Sequence, residues 1–529
     1  MSKKRPLTPI AFGMMFLIAA SVVACRTSEA QRLPPTATAV RVIQTTPVPT
    51  ADRLLQPIAS PSRTPAPLAE CTATAGQPAV QHSVEAEIDF TARRVRARQQ
   101  TTYINRTNET LAEIVFSVEP NRIPNAFALT EVLSSDGTPV PSYVLAGRRL
   151  EVVLPQPLAP GCGTRLHLAF EMAVPPIGRG ISAFHGYFGY SARQLNLGHW
   201  LPVIAFHTGG DWITHDVANV GEQIIAEVAD WRVELSLVNA PESVQIAAPG
   251  RLAERDEQRW VYTQTNAREW SLSLSADYIR TERMTSSGVL VELYSFEDAI
   301  VRTESGPVDA AAHALEVGVR SLAMFSDLYG AYPHDRFVIV QGDFPDGMEF
   351  SDLIFVSGDW FRTYTGNPAS YLTIITVHEV AHQWWYARVG SDQALTPWLD
   401  EALATYSEYV FFEEYYPALR DWWWSFRVAN YVPGNFTGAP VDSTVYEFDS
   451  VRHYINAVYL RGAQMMDSLR RDLGTDAFFD WLRRYATVAA NRVATPDLFW
   501  SLLTPQQLEQ TAGTRLRYLS QPALEVLER

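Results

Sequence analysis

The chain has 529 residues, 47% of them hydrophobic, with 14 Trp and 22 Tyr, so it can bury more than one hydrophobic core. Its formal net charge of -15 argues against a nucleic-acid partner. These properties predict a protein of at least two domains and leave the substrate or ligand class open.

Residues 1–25 have the features of a secretory signal peptide. Three basic residues at positions 3–5 precede an apolar run at 10–24, which fits a signal peptide better than a membrane-spanning helix of about 20 residues. Residues 22–25, Val-Val-Ala-Cys, resemble a bacterial lipobox, with Val in the first position where Leu is commoner. We therefore expect Cys25 to become a lipidated N-terminus that anchors the protein to the membrane of the bacterial cell envelope, outside the cytoplasm. An uncleaved anchor and a secreted protein are the alternatives.

Residues 26–75 are predicted to form a tether. From about 31 to 70 the chain is rich in Pro, Thr, Ala and Ser, with repeated Thr-Pro and Pro-Thr pairs and little apolar periodicity. This composition favours an extended chain without a packed core. It would hold the globular part away from a membrane surface.

Residues 76–282 are predicted to form a β domain. Apolar and polar residues alternate at 84–90 and again at 231–237, as expected for strands with one buried face in a sandwich. Residues 283–529 carry longer helical patterns. The predicted fold class is therefore multidomain α+β, an N-terminal antiparallel β-sandwich or saddle followed by a mainly helical domain.

The remaining two cysteines form a possible disulfide. If Cys25 is lipidated, Cys71 at the end of the tether and Cys162 in the first domain are left as one candidate pair. Sequence separation cannot establish that they are close in space, so two unpaired buried thiols are the alternative.

Gly residues and a Thr-Pro pair mark helix ends and a helix start in the second domain. Helices are expected at 308–328, ended by Gly330, and at 453–473, ended by Gly474. Thr495-Pro496 is typical of a helix cap followed by proline in the first turn. We also expect a strand at 337–340 and an edge strand at 353–356.

Residues 378–382, His-Glu-Val-Ala-His, predict a zinc site. The surrounding stretch 371–389 contains no Gly or Pro and has apolar residues at helical spacing, so it reads as one buried helix. His378 and His382 are one turn apart and can reach one cation, while Glu379 flanks it as a general base. With 11 His in the chain, a chance match is expected about once per hundred such sequences, and the alternative is a pair of core histidines.

Glu401 is the candidate third ligand. Between it and His382 lie 18 residues, enough to end one helix near Gly390 and to start another at Trp398. This set predicts one Zn²⁺ per chain.

The Trp398-Leu399-Asp400-Glu401-Ala402 segment completes a resemblance to the M1 family of zinc aminopeptidases, gluzincins with HExxH, 18 residues and then Glu in a Trp-Leu-Asn-Glu-Gly-like segment. The resemblance implies a thermolysin-like catalytic domain at 283–529. It also implies a short form lacking the C-terminal helical domain of many relatives, and hence an open cleft that tolerates longer peptides.

Two further segments carry the resemblance. Gly347-Met348-Glu349 resembles the core of the family's Gly-Ala-Met-Glu-Asn strand, which implies that this strand binds substrate and that Glu349 holds its α-amino group. The chain departs from that pattern at Asp346 and Phe350, and a reshaped amine pocket at these positions would favour an endopeptidase.

The other segment, Tyr459-Leu460-Arg461-Gly462, resembles the family's Tyr-x-Lys-Gly. By that resemblance Tyr459 stabilises the transition state, although spacing alone would equally allow Tyr446 or Tyr454. Glu408 lies seven residues after Glu401 on the same helical face, where the family tends to carry an acid. We expect it to orient a zinc histidine, with a solvated surface carboxylate as the alternative.

The predicted function is hydrolysis of N-terminal residues from peptides. Zinc lowers the pKa of water to about 7, so Glu379 can take a proton at neutral pH, while a tyrosine hydroxyl stabilises charge on the carbonyl oxygen. Expected partners are peptide substrates and, through the lipid anchor, a membrane; a monomer is expected. A zinc endopeptidase on the same site and an inactive peptide-binding lipoprotein are the alternatives.

Overall fold

Two hydrophobic cores organise the chain in a computed structural model that describes residues 78–178 and 184–520. The signal peptide, the tether, Cys25 and Cys71 lie outside these residues. Cys162 is buried and disulfide-bonded. Its predicted pairing with Cys71 stays a prediction.

The first core lies among the strands of the N-terminal domain. In chain order these are β1 Val80–Asp89, β2 Arg94–Ile104, β3 Leu111–Ser117, β4 Phe127–Leu133, β5 Tyr143–Ala146, β6 Arg149–Leu158, β7 Gly163–Ala173, β8 Phe188–Tyr190, β9 Leu195–Leu197, β10 Val203–Ile204, β11 Phe206–Thr208, β12 Asp211–Ile213, β13 Ala229–Val238, β14 Gln245–Ala247, β15 Arg251–Arg255, β16 Arg259–Ala267 and β17 Leu272–Ser275. A short helix, α1 Phe184–Tyr187, precedes β8.

The largest sheet of this domain has seven strands in the order β15-β16-β13-β1-β2-β7-β4. Alternate residues of β1 and β13 are buried, as their sequence pattern predicts. Pairing is antiparallel except between β1 and β13, which run parallel. The predicted antiparallel architecture therefore holds with one parallel pair at its centre. Two four-stranded sheets, β10-β3-β6-β5 and β14-β17-β9-β8, complete the domain together with the β11-β12 hairpin.

The second domain joins a smaller sheet to a set of helices. Its strands are β18 Ile279–Met284, β19 Leu290–Ser295, β20 Ile300–Thr303, β21 Gly306–Asp309, β22 Arg336–Gly342, β23 Gly347–Phe350, β24 Leu353–Ser357, β25 Val389–Ser391 and β26 Arg492–Ala494. Its helices are α2 Ala310–Tyr329, α3 Gly358–Arg362, α4 Tyr371–Ala381, α5 Trp398–Tyr415, α6 Arg420–Trp423, α7 Val451–Tyr454, α8 Arg461–Leu473, α9 Thr475–Val488, α10 Pro496–Ser501, α11 Pro505–Gln510 and α12 Ala512–Tyr518.

The main sheet of the second domain has the order β18-β19-β22-β24-β23. The strand at 353–356, predicted to be an edge, is therefore interior, because β23 pairs outside it. Strand β23, which carries Glu349, is the edge strand. The predicted domain boundary at 282/283 falls inside β18, whose pairing with β19 places it in this second sheet.

Helices of the second domain begin and end at capping residues. Asp309 caps α2 by accepting a hydrogen bond from the Ala312 amide, and Gly330 ends it with a φ of 114°. Thr495 caps α10 as predicted. The predicted helix at 453–473 is interrupted by a wide turn, Ile455–Leu460, between α7 and α8.

The helix predicted over 371–389 is shorter than expected. Helix α4 ends at Ala381, and a wide turn, Gln383–Arg388, leads into β25. Apolar periodicity continues through this turn because Trp384 and Trp385 are buried, so burial alone could not mark the end of the helix. None of the described helices is both long enough and apolar enough to cross a membrane.

Arg268 ties the first domain to the end of α4. Its guanidinium is fully buried and donates to the backbone carbonyls of Ala226, Tyr386 and Arg492, at 2.6, 2.6 and 2.8 Å. Since these carbonyls belong to three separate segments, one side chain fixes a loop of the first domain against the turn that follows the zinc-motif helix.

Candidate metal centre

Two adjacent helices bring His378, His382 and Glu401 together. His378 lies in the last turn of α4, His382 caps the end of that helix, and Glu401 lies in the first turn of α5. The Nε2 atoms of His378 and His382 lie 3.2 and 3.6 Å from the same oxygen of Glu401, Oε2. All three ligand atoms fall within 4.8 Å of one another, so the predicted ligand set converges on one point.

Both histidines use their other ring nitrogen to bind a carboxylate. Nδ1 of His378 donates to Glu408 Oε1 at 2.9 Å, and Nδ1 of His382 donates to Asp400 Oδ1 at 2.6 Å. Each ring is thus held in the tautomer that leaves Nε2 free as a ligand. Two imidazole nitrogens and one carboxylate are the donor set of an open zinc site, so these residues fit zinc.

The surroundings of the ligands favour positive charge. Burial opposes the charged form of His378, yet hydrogen bonds to Glu401 and Glu408 outweigh it and raise the pKa of His378 to about 9. Burial also opposes the charged form of His382, whose pKa is nevertheless raised well above its usual value by Asp400 and the other nearby acids. A divalent cation supplies the charge that this cluster of acids attracts.

Glu408 is fully buried, which excludes the surface alternative. Besides His378 it binds Arg427 through two hydrogen bonds of 2.9 Å, and the indole of Trp423 donates to it at 3.2 Å. Arg427 and Trp423 were not predicted from the sequence. Their spacing carries no signal, because they lie on a separate segment that only the fold places beside α5.

Replacing Glu408 by Gln is expected to weaken zinc binding about 10- to 100-fold, because the amide cannot stabilise the basic imidazole as a carboxylate does. Zinc affinity would be measured by competition with a chromogenic chelator. Glu414→Gln, at an exposed position on the same helix, is the matched control. Equal affinities for the Glu408→Gln variant and the control would remove the orienting role.

Strand β23 presents alternate residues to the metal centre and to the first domain. Met348 and Phe350 are buried in the first hydrophobic core, where the ring centroids of Phe350 and Tyr187 are 5.5 Å apart. Gly347 and Glu349 therefore face the other way, and a β-carbon at Gly347 would meet the Glu379 carboxylate. The departure at Phe350 thus concerns packing between domains and leaves the cleft side of the strand unchanged.

Gln383, the residue after His382, fixes this edge strand to the zinc-motif helix. Its amide donates to the Phe350 carbonyl at 3.2 Å and accepts from the Asp352 amide at 2.9 Å. Phe350 is the last residue of β23, and Asp352 lies in the turn that leads to β24. The distance between Glu349 and the metal ligands is therefore set by a direct contact as well as by sheet packing.

Glu349 is a buried carboxylate without a full set of partners. Its Oε1 atom is buried and has no hydrogen-bond partner among the described residues. Burial raises the pKa of Glu349 to about 8, with the acids Glu401 and Asp400 acting in the same direction and His382 against them. An unpaired buried carboxylate costs free energy unless a ligand satisfies it, so this oxygen marks a binding position.

Glu222 is a site residue that the sequence did not reveal. It comes from a loop of the first domain, and the side-chain amide of Gln393 joins it to Asp400 with distances of 3.3 Å to Glu222 and 2.9 Å to Asp400. Burial raises the pKa of Glu222 well above its usual value, and the charge of Glu349 raises it further. The first domain thus adds a second acid beside Glu349. No motif marks it, because it lies far from the zinc motif in the sequence.

Asp400 was part of a recognised segment but had no predicted role. A role could have been predicted for Asp400, because it directly precedes the candidate ligand Glu401 in the first turn of α5 and so lies near the same metal centre. Fold geometry was needed to assign its partner, because His382 lies on a different helix.

Tyr459 lies against the metal ligands. Its ring stacks on His378 with centroids 5.7 Å apart and an interplanar angle of 8°, and its hydroxyl interacts with the Glu401 carboxylate. Tyr454 is its neighbour, with ring centroids 5.4 Å apart. Tyr446 donates to the Asp216 carbonyl at 2.8 Å and is exposed. Of the three tyrosines that spacing allowed, Tyr459 contacts the ligands, and its role in the transition state stays a prediction.

Comparison with known proteins identifies the domain that holds this site. Residues 313–516 match the family model described as "Peptidase family M1 domain". The second domain of this chain is an M1 peptidase domain. The predicted recognition of the family is thereby confirmed.

Curated relatives of the M1 domain are longer proteins. Over 256 residues the chain is 26% identical to Aminopeptidase M1-D of Oryza sativa subsp. japonica, a match that covers 46% of this chain and 27% of that protein. It is also 26% identical over 289 residues to Endoplasmic reticulum aminopeptidase 2 of Homo sapiens, covering 52% of this chain and 29% of the relative. The chain thus spans less than a third of the length of these relatives.

A solved structure shares the architecture of both domains. The crystal structure of an M1 zinc metallopeptidase from Deinococcus radiodurans superposes with a TM-score of 0.59 at 19% identity, covering 83% of this chain and 94% of that one. At this identity the likeness concerns the fold. It supports the predicted order of a β domain followed by a helical M1 domain.

Proposed function

We propose that this chain is a zinc aminopeptidase that removes N-terminal residues from peptides. The observation that carries the proposal is the unpaired buried oxygen of Glu349 beside the metal centre. Two residues earlier on the same strand, Gly347 meets the Glu379 carboxylate. A residue in a strand spans about 3.3 Å, so roughly 7 Å separate the two positions, and a peptide whose amine lies at Glu349 would reach Glu379 within its first two residues.

The cleft can hold the substrate amine with carboxylates from both domains. Glu349 comes from the edge strand of the M1 domain and Glu222 from the first domain, and after burial the charge of Glu349 raises the pKa of Glu222. A protonated α-amine between them would relieve this repulsion and satisfy the free oxygen of Glu349. A peptide with a blocked amine offers no such charge.

Glu379 is positioned to move the proton. His378, His382 and Glu401 would hold zinc, which would act as a Lewis acid toward the scissile carbonyl and toward water. Burial raises the pKa of Glu379 well above its usual value, with the charges of Glu349 and Asp346 acting in the same direction. A carboxylate of raised pKa can take a proton from water and return it to the departing amine.

Tyr459 is positioned to bind the carbonyl oxygen as negative charge develops there. Its hydroxyl forms a hydrogen bond with the Glu401 carboxylate, so it lies beside the metal ligands. A hydroxyl donates a hydrogen bond without competing as a strong ligand.

The endopeptidase alternative differs in one testable respect. If Glu349 did not engage an amine, peptides with blocked and free N-termini would be cleaved alike. The inactive alternative predicts peptide binding without cleavage. Neither alternative gives a reason for a buried acid, Glu349, and a half-buried acid, Glu222, beside the metal centre.

The test uses the zinc-loaded full-length protein in detergent and matched peptides with free and acetylated N-termini. We expect stepwise cleavage of the free peptides and at least about 100-fold lower kcat/KM for the acetylated ones, because two desolvated acids would face no cation. Glu349→Gln should lower kcat/KM for free peptides by a similar factor.

Three outcomes separate the candidate functions. Equal cleavage of blocked and free peptides would make the protein an endopeptidase. Cleavage no faster than that of Glu379→Gln, with zinc and peptide both bound, would favour the inactive binding protein. Cleavage of free peptides with Glu349→Gln fully active would leave the aminopeptidase and remove Glu349 as its anchor.

We also propose that the enzyme acts at the cell envelope as a lipid-anchored protein. The support is the sequence of residues 1–25, with its basic start, apolar run and Cys25. Metabolic labelling with a palmitate analogue tests this: label on the wild type and none on Cys25→Ser is expected. Equal labelling of the two proteins would exclude anchoring through Cys25.

A further inference from the structure

Asp346 is an exposed carboxylate in a backbone conformation that few residues adopt. Its φ of 79° lies in the left-handed region, which is uncommon for any residue but glycine and which Asn and Asp tolerate best. An extended residue 346 would continue the alternation of the strand and point, like Met348, toward the first core. The left-handed turn removes residue 346 from that alternation and leaves its side chain exposed instead.

The position of Asp346 along the strand places it on the leaving-group side of the cleft. Going from Glu349 to Gly347, the strand passes from the amine anchor to the Glu379 carboxylate. The next residue in the same direction is Asp346. Asp346 directly precedes β23, so a peptide whose amine lies at Glu349 would bring its second residue toward the Asp346 end of the strand.

The Asp346 charge is not paired within the described residues. Its only hydrogen bond there is from the neighbouring Gly347 amide, at 3.3 Å, and no described cation lies within ion-pair distance of it. Arg427 acts on Asp346 through its charge, but Nε and Nη2 of that guanidinium are both engaged by Glu408. A cation delivered by the substrate would therefore meet an accessible, uncompensated carboxylate.

We propose that Asp346 is a specificity-determining residue that selects peptides with Lys or Arg in the second position. The proposal rests on the aminopeptidase function proposed above. The left-handed backbone conformation contributes to this selectivity, because it turns the carboxylate away from the core and toward the side chain of the peptide's second residue. An acidic second residue would meet Asp346 and Glu379 together and be disfavoured.

The experiment compares three tripeptides, Ala-Lys-Ala, Ala-norleucine-Ala and Ala-Glu-Ala, with the zinc-loaded full-length protein. Norleucine has nearly the length of lysine without the charge. We expect kcat/KM about tenfold higher for the lysine peptide than for the norleucine peptide, as for a hydrogen bond to a charged group. In Asp346→Asn this ratio should fall to about one, because Asn keeps the shape and tolerates the left-handed conformation.

Two controls keep the result specific. Asp346→Gly restores the residue best suited to a positive φ, so a lysine preference lost in both variants reflects the carboxylate and not the backbone. Asp256→Asn removes one exposed charge from the first domain and should keep the wild-type ratio. Zinc content and the thermal unfolding midpoint show whether each variant is folded.

A binding measurement separates this proposal from the proposed function. The affinities of Ala-Lys-Ala and Ala-norleucine-Ala for Glu379→Gln, alone and combined with Asp346→Asn, would be measured by calorimetry. Suppose that the wild type cleaves no peptide, while Glu379→Gln binds the lysine peptide more tightly and Asp346→Asn abolishes this preference. That result would exclude the peptidase function and keep the role of Asp346. A wild-type ratio near one, or a ratio unchanged in Asp346→Asn, would overturn the specificity proposal and leave the peptidase untouched.

Discussion

The variant Glu379→Gln is expected to hydrolyse free-amine peptides about 10²- to 10⁴-fold more slowly than the wild type, the range that a positioned general base contributes. Glutamine keeps the size of the side chain but cannot accept the proton from water. Glu379 follows His378 directly on α4, and its carboxylate packs against Gly347, so it flanks the ligands without being one. We therefore expect the loss in kcat, with zinc content and peptide affinity close to those of the wild type.

Steady-state kinetics and metal analysis on the same preparations check this result. Glu413→Gln is a suitable control, because Glu413 pairs with Arg470 at 2.7 Å on a different face of the domain. Loss of zinc from Glu379→Gln would make the carboxylate part of the metal site instead of the base. More than a tenth of wild-type activity with zinc retained would require another base, and Glu349 would be the first to test.

The metal ligands could be predicted because the chain itself encodes their spacing. Four residues along a helix return to the same face, so His378 and His382 had to converge once α4 formed. Glu401 could be predicted as the third ligand because the 18 residues between it and His382 leave room for a loop and for the start of a second helix. Local rules also placed the end of α2 at Gly330 and the start of α10 at Thr495, which makes the expected capping hydrogen bond.

What the sequence could not provide depends on contacts between distant segments. Glu222 reaches the cleft from a loop of the first domain, and Gln393 joins it to Asp400; no period in the sequence connects these positions. The order of the second sheet was also out of reach. The apolar run of β24 looks the same whether it is an edge or an interior strand, and only pairing with β23 decides.

The two departures from the family pattern turned out to have opposite meanings. Phe350 and Met348 face the first core, so Phe350 is a packing residue. Asp346 should have faced the same way by alternation, but its positive φ exposes it. Sequence comparison could name both departures, whereas the backbone conformation was needed to distinguish a change in packing from a change in the cleft.

Replacing Tyr459 by Phe is expected to lower kcat about 10²- to 10³-fold with little change in KM. Loss of one hydrogen-bond donor to a developing oxyanion costs about 2.7 to 4 kcal/mol, and that bond is strong only in the transition state. Phenylalanine keeps the stacking of this ring on His378, whose centroid lies 5.7 Å away, so zinc affinity should be retained. The measurement is kcat and KM for a free-amine peptide at saturating zinc.

Tyr454→Phe is the matched control, since Tyr454 packs edge-on against Tyr459 with centroids 5.4 Å apart and also carries a buried hydroxyl. If Tyr459 is the oxyanion donor, the control loses far less activity than Tyr459→Phe, because its hydroxyl reaches the metal ligands only through its neighbour. The reverse order of losses would assign the donor to Tyr454, one of the candidates that spacing allowed. A rise in KM alone for Tyr459→Phe would mean that its hydroxyl binds substrate in the ground state and transition state equally.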